Sequence, residues 1–281
     1  MANSAYGSGL NLDALMVPVQ AQTVYAAQEN SLYLPGTMIP MVNVPAGSAT
    51  AQVAVMGSVA ATAISSEDVG GSGNPQDFDT VLPADTKKTI TLELIAARTV
   101  LRDFGGVDVA DMSRIMGNAI SSSVDTKISA EMANLTQQEI TDANLLHEFY
   151  EAVGAIRAAG ETGPLNAIVS AAAYKEFMEH IGSSAFSNAD VQNAAMRTGQ
   201  IGVLAGVNCY ISSFLNDTNT GVTGTKAAIF SADAMRGAVQ GGVNVEVERR
   251  ASAVGNDVVA SIAFGIETLD ATRGILLKDA A

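Results

Sequence analysis

Catalysis needs reactive side chains held close together, and this sequence of 281 residues offers few candidates. The two histidines, His147 and His180, fall on separate expected helices. They lack the H-E-x-x-H spacing that sets two imidazoles on one helix face around zinc. The single cysteine, Cys209, sits inside an apolar run, where a thiol acts as a small hydrophobe rather than a nucleophile. One cysteine also rules out an internal disulfide and a cysteine zinc cluster. No G-x-S-x-G occurs among the serines. The stretch GQIGVLAGVNCYISSFL (Gly199–Leu215) spaces its glycines as G-x-x-G-x-x-x-G. A phosphate cradle needs G-x-G-x-x-G before a helix, or a following Lys-Ser or Lys-Thr, and here a strand-like segment follows. The stretch therefore reads as a turn at 205–206 leading into a buried strand. No cofactor and no metal is expected.

The charged residues invite a different reading. There are 15 Lys and Arg against 29 Asp and Glu, a net charge of −14. A chain that grips nucleic-acid backbone needs a basic face, and this one lacks the residues for it. Nucleic acid merely enclosed by a non-adhesive surface stays compatible with that balance. The scarce cations cluster: Lys87 and Lys88 together, Arg98 and Arg102 four apart, Arg249 beside Arg250. Such placements suit either carboxylates of a neighbouring subunit or local surface partners. The acidic pairs Glu67-Asp68 and Glu246/Glu248 read as solvated faces or intersubunit partners rather than a general acid and base. These charged residues, Glu67, Asp68, Lys87, Lys88, Arg98, Arg102, Arg249 and Arg250, are the candidate intersubunit contacts.

No membrane partner is expected. Residues 30–66 carry no charged side chain, but prolines at 35, 40 and 45 break the segment. Its most apolar part, Val53–Ile64, is far short of the ~20 residues a span requires. The N-terminus has no basic residue before an apolar run, so no signal peptide is expected.

The elements available to position anything are extended. Residues 1–45 read as an arm that orders only against another surface, with a short helix near Val17–Gln28. Alternation in Thr50–Ser65 and in Lys87–Arg98 predicts two strands, the second with Ile90, Leu92 and Leu94 on one face. The polar, glycine-rich linker between them makes a long hairpin, and ~12 residues at ~3.3 Å each project roughly 40 Å. The strongest helix signal begins at Asp108, an expected N-cap. Its stripe of Val109, Met112, Met116, Ile120, Val124, Ile128, Met132 and Leu135 spans about 40 Å. Ser121, Ser122, Asp125, Ser129 and Glu131 are expected on the opposite face. Thr141 is expected to cap a second helix ending at Gly160. LNAIVS (165–170) reads as a strand, and Ser170 as the cap of a helix stopping at Gly182. A short helix is expected near 191–196 and a strand at 226–231. Two long strand-like runs follow, GGVNVEVERRAS and DVVASIAFGIETLDATRGILLKD. Helices and strands interleave without a βαβ period, so the class is α+β.

This order of elements resembles the major capsid proteins of tailed double-stranded DNA phages, the Hong Kong 97-type fold. The resemblance covers essentially the whole chain. It is carried by Ile90–Met132, Phe149–Phe177, Arg197–Phe214 and Gly241–Asp279. It implies an N-terminal arm at 1–45, an extended loop at 46–95, and a peripheral domain of 96–140 with 241–281 built on a spine helix. It also implies a mixed axial domain at 141–240, to which the last residues return. The implied function is a shell subunit forming hexamers and pentamers around phage DNA, in a virion assembled in the host bacterial cytoplasm. Implied partners are further copies of the chain, a scaffolding protein, a portal and a cement protein, with DNA enclosed rather than read. Some relatives cross-link through a hairpin lysine; Lys87 and Lys88 lie at the hairpin base without a supporting glutamate setting, so that chemistry is not carried over. The arm leaves no room for a fused scaffold unless one was removed. An encapsulin-type compartment shell and an α+β small-molecule enzyme are the alternatives.

Overall fold

The computed structural model describes residues 19–27, 31, 33, 36, 38–55, 87–102, 109–141, 144–183, 200–250, 252 and 254–280. The expected cap at Asp108, the helix near 191–196, the second half of the expected strand Thr50–Ser65, the hairpin linker and its pair Glu67-Asp68 lie outside them. Residues 19–27 are helical (α1), close to the expected arm helix.

Three short strands follow α1. They are β1 (Met41–Asn43), β2 (Thr50–Ala54) and β3 (Lys87–Thr91). β2 and β3 pair antiparallel, with Thr50 opposite Thr91 and Ala54 opposite Lys87, so the expected hairpin exists at its base. Ile90 is fully buried there with Val44, Ala51 and Ala238. Lys87–Arg98 is not one strand, however. The chain breaks at Leu92 and continues as β4 (Glu93–Arg102), which leaves the hairpin for another sheet. Leu94, expected on one face with the buried Ile90, is 73% exposed as a result.

The long helix α2 runs Val109–Glu131 and closes through a 3₁₀ turn at Met132–Asn134. From Met112 to Leu135 every residue of the expected stripe is buried. On the opposite face Ser121, Asp125 and Ser129 are buried too. The helix is covered on more than one side: its core cluster joins residues of the arm (Val19, Tyr33, Ile39) and of both large sheets. Gly117 shows how closely the arm approaches. A Cβ there would lie 2.7 Å from both the Ala26 Cβ and the Thr23 carbonyl oxygen. Gly→Ala inside a helix ordinarily stabilises by about 1 kcal/mol. Here the methyl has no room, so Gly117→Ala should lower the melting temperature instead. Amide exchange should speed up in residues 19–27, a readout that distinguishes arm undocking from general loosening.

The first large sheet has the order β1-β10-β11-β4, with β10 at Met235–Arg250 and β11 at Gly255–Thr268. β10 begins six residues before the expected run at Gly241. Its pairing with β11 slips between Gln240 and Asn244, where Gly241 and Gly242 both take positive φ. Such a bulge bends and twists the ribbon beyond it.

The second sheet has the order β5-β12-β9-β6-β8-β7. Its strands are β5 (Thr136–Ile140), β6 (Leu165–Ser170), β7 (Gln200–Leu204), β8 (Val207–Ser212), β9 (Thr225–Ser231) and β12 (Gly274–Asp279). β6 is central and buried along its whole length, Asn166 and Ser170 included. One face carries Leu165, Ala167, Cys209 and Ile229 against α3 (Leu145–Ala158) and α4 (Tyr174–Ser183), where Phe149 meets Phe177 edge-on at 5.5 Å. The other face, with Ile168, Ala228, Phe230 and Leu276, joins the α2 core. The last expected run is two strands: Asp270 caps a 3₁₀ turn after β11, and β12 crosses into the second sheet.

Two helix caps also differ from expectation. Asn144, not Thr141, caps α3, accepting from the Leu146 and His147 amides. Thr141 instead donates its amide and hydroxyl to the buried Glu148 carboxylate, which also accepts from Gln138 at 2.9 Å. Ser170 accepts from Ala173 one turn before α4 begins, and that helix ends at Ser183. The bond from Gln138, with those from Thr141, holds the Glu148 carboxyl below its ordinary value against the opposing effect of burial. A depressed carboxyl adds stability above its unfolded pKa and loses it as pH falls through the folded value. Glu148→Ala should therefore melt lower than wild type near neutral pH, and the gap should narrow below about pH 4. A gap independent of pH would show that packing, not charge, sets its size.

Candidate functional site

Among the described residues no group of three or more His, Cys, Asp or Glu is placed to hold a metal, and no helix is long and apolar enough to cross a membrane. Cys209 is fully buried on β8, and burial pushes its thiol up to about 12. It stays protonated and unreactive. His147 is exposed, with Glu151 one turn on at 3.5 Å. His180 lies on α4, and its side chain is outside the described residues. The glycine-rich stretch is a β7–β8 hairpin. Ala205 (φ 52°) and Gly206 (φ 76°) form its two-residue turn, where positive φ at both positions matches the twist of the flanking strands. The turn at 205–206 and the buried strand are where the sequence predicted them.

What the chain presents instead is surface. The base of the β2–β3 hairpin lies across the first sheet at Gly265, where a side chain would run into the Thr91 carbonyl oxygen and the Ile90 side chain. Beside it, β4 is a marginal strand of that sheet, with ten residues paired on one side to β11. Along β4 the residues Leu94, Ala96 and Arg98 alternate outward and are exposed. They stand opposite Ala263, Ser261 and Val259 of β11.

Charge on this surface is organised by a residue the sequence reading missed. Arg98 holds the Asp257 carboxylate in a fork, its Nε 2.9 Å from both oxygens, and Arg250 reaches the same carboxylate at 3.8 Å. The Arg98 fork keeps the Asp257 carboxyl below its usual range. The structure thus brings together Arg98 and Arg250, which are far apart in sequence. Arg249, Glu246 and Glu248 are exposed along the same ribbon, and Lys87 and Lys88 are exposed on β3. Arg102 ends β4, its side chain outside the described residues. Asp257 opens the DVVASIAF run, and only the strand register, which faces it to Val100 and Glu248, shows what it serves. Lys127 of α2 pairs with Glu93 of β4 and ties helix to sheet edge. A second unpredicted staple is Arg273, within 3.4 Å of Glu161, Asp233 and Asp270.

No protein-family model and no curated protein sequence matches the chain. Solved structures do. The virus-like particle from Pyrococcus furiosus matches 93% of this chain and 98% of its own, at TM-score 0.63 and 10% identity. The capsid of Ralstonia phage GP4 matches 90% and 92%, at TM-score 0.62 and 10% identity. The capsid of cyanophage P-SCSP1u matches 85% and 86%, at TM-score 0.60 and 16% identity. Likeness on this scale, over 85–98% of each chain, shows the fold: this is the mixed α+β, Hong Kong 97-type capsid fold.

Proposed function

We propose that the chain is a major capsid subunit that assembles as hexamers and pentamers into an icosahedral shell around double-stranded phage DNA. The observation that carries the reading is the likeness to phage capsid chains over 85–90% of this chain. The charged residues support it, being spread over an exposed ribbon and sheet edge rather than gathered in a cleft. No catalytic role is assigned.

In this reading residues 1–45 are the arm, 46–95 the extended loop, 96–140 with 241–281 the peripheral domain and 141–240 the axial domain, the strand Gly274–Asp279 joining the axial sheet. Each subunit lays its loop over a neighbour, burying apolar surface at about 25 cal/mol per Å². Repetition of one contact around closed symmetry converts weak pairs into a stable shell. Lys87, Lys88, Arg249, Arg102 and the pair Glu67-Asp68 serve contacts between copies. A surface of net charge −14 encloses DNA without gripping it. Scaffolding, portal and cement proteins complete the particle, a virion built in the host cytoplasm.

Size exclusion of the expressed chain tests this: megadalton particles or capsomers are expected, with closed shells in negative stain. A small, discrete oligomer overturns it. A second reading, an encapsulin-type shell, is favoured by the match to the Pyrococcus furiosus virus-like particle over 98% of that chain. Particles from the native source decide between them, since nuclease-protected DNA supports the capsid and a co-purifying enzyme supports the compartment.

A further inference from the structure

The free side of β4 is an open edge of the first sheet. Its ten residues pair with β11 without a register shift, and among the described residues no strand lies on the other side. Edges of this length ordinarily carry a lysine, a proline or a bulge that stops another strand from adding on. β4 has none of these. Its single charge between Glu93 and Arg102 is Arg98, whose guanidinium is engaged by Asp257. Leu94 and Ala96 stand exposed beside it. Such an edge accepts one more strand through backbone hydrogen bonds.

The chain itself contains a segment that fits. Gly57–Ser66 is ten residues without a charge or a proline, and the acidic pair Glu67-Asp68 follows it. The two ends of β4 differ in sign. Glu93 is already neutralised by Lys127. Towards the other end, Arg98, Arg102 and, in register across Gly255, Arg250 stand against two carboxylates, Asp257 and Glu248. A segment running parallel to β4 brings Glu67-Asp68 to the arginines, whereas an antiparallel one brings them to Glu93. Charge therefore selects the parallel direction. With Gly57 beside Glu93 and Ser66 beside Arg102, Val59 falls beside Ile95, Ala60 beside Ala96 and Ile64 beside Val100, all favourable apolar pairs. The segment cannot be the subunit's own. β2 is antiparallel to β3, so Ala54 stands opposite Lys87, six residues before β4 begins. Three residues cannot both turn the chain round and recover that distance. We propose, within the shell reading above, that residues 57–66 of a second copy add to the edge of β4 as a parallel fifth strand of the first sheet, with Glu67-Asp68 at its arginine end. Donor segment and acceptor edge are different surfaces, so the contact is head to tail, the kind that closes into rings.

Two cysteine pairs report the register. Ser66→Cys with Arg102→Cys, and Ala60→Cys with Ala96→Cys, each made in the full chain and oxidised, should give a ladder of disulfide-linked multimers on a non-reducing gel. The native Cys209 is buried and protonated and stays out of the reaction. Either pair suffices if the other fails to fold. Ser66→Cys with Glu93→Cys should give no ladder, and a ladder from that pair alone overturns the proposal in favour of an antiparallel strand. Cross-links confined within single chains overturn it by making the strand the subunit's own. Shells that form normally while neither pair cross-links overturn it and leave the shell reading standing. A chain that stays a small, discrete oligomer overturns the shell reading instead, and a synthetic peptide of residues 55–68 then tests the edge alone. The peptide should slow amide exchange in residues 93–102 about tenfold, and an unchanged rate overturns the proposal.

Discussion

Gly265→Val is expected to abolish closed shells while leaving soluble protein. Gly265 faces the hairpin base, and the atoms a side chain would strike are the Thr91 carbonyl oxygen and, at 3.0 Å, the Ile90 Cγ2 and Thr91 carbonyl carbon. Two of these are backbone, which cannot rotate out of the way. The strand must lift, and Ile90, now fully buried, must be uncovered. Overpacking of this kind costs about 1–3 kcal/mol, which a chain of this size survives. The larger effect is directional, because a tilt at the base of a hairpin grows along its length. Size exclusion and negative stain should show subunits or small assemblies where the proposed function has wild type give shells. Ile90→Ala is the control. It loses the burial without the clash, so it should melt lower yet still close shells at reduced temperature. Shells of normal yield from Gly265→Val would mean that the docked base does not aim the hairpin.

Phe230→Ala is expected to have the largest effect on the subunit itself. Phe230 on β9 is fully buried on the face where the second sheet joins the α2 core, and Gly274 and Leu135 close around it. Removing the ring takes away the transfer free energy and leaves a cavity between elements too long to collapse into it. Losses of this type run about 3–5 kcal/mol. At about 2–4 °C per kcal/mol this is a fall of roughly 6–20 °C in melting temperature. A fall of less than a few degrees, read by calorimetry on the unassembled chain, would show that the two sheets pack more loosely than their shared cluster implies.

Local pattern made much of this architecture legible. The stripe from Met112 to Leu135, the strand at 165–170 and the turn at 205–206 each follow from period or from turn chemistry, and each is present. What the sequence hid depends on a second surface. Asp125 and Ser129 look like solvent residues because helix period places them off the main stripe; only the arm's return across α2 buries them. Gly117 reads as a weak helix residue until Ala26 is found against it. Asn144 and Thr141 are equally good caps by type, and the buried Glu148 decides between them by taking both of Thr141's donors. The run from Asp257 to Asp279 has the composition of one strand, but the Asp270 turn sends its end to a different sheet. The charged residues were legible as a scarce and clustered set. Their organiser, Asp257, was not, since nothing local marks one aspartate in a strand as the anchor for arginines from two others.

The path of β12 has a further consequence for the order of events in the cell. It lies between β5 and β9, parallel to one and antiparallel to the other, so residues 136–140 reach the sheet only through residues 274–279. A nascent chain stopped anywhere before residue 274 leaves β5 stranded and takes Leu276 out of the core around α2. Pairings so distant along the chain form late and slowly. Competence to join a neighbour therefore arrives with synthesis of this strand rather than by degrees. On the proposed function, prematurely terminated copies are thereby kept out of a shell in which a single defective tile would spoil closure.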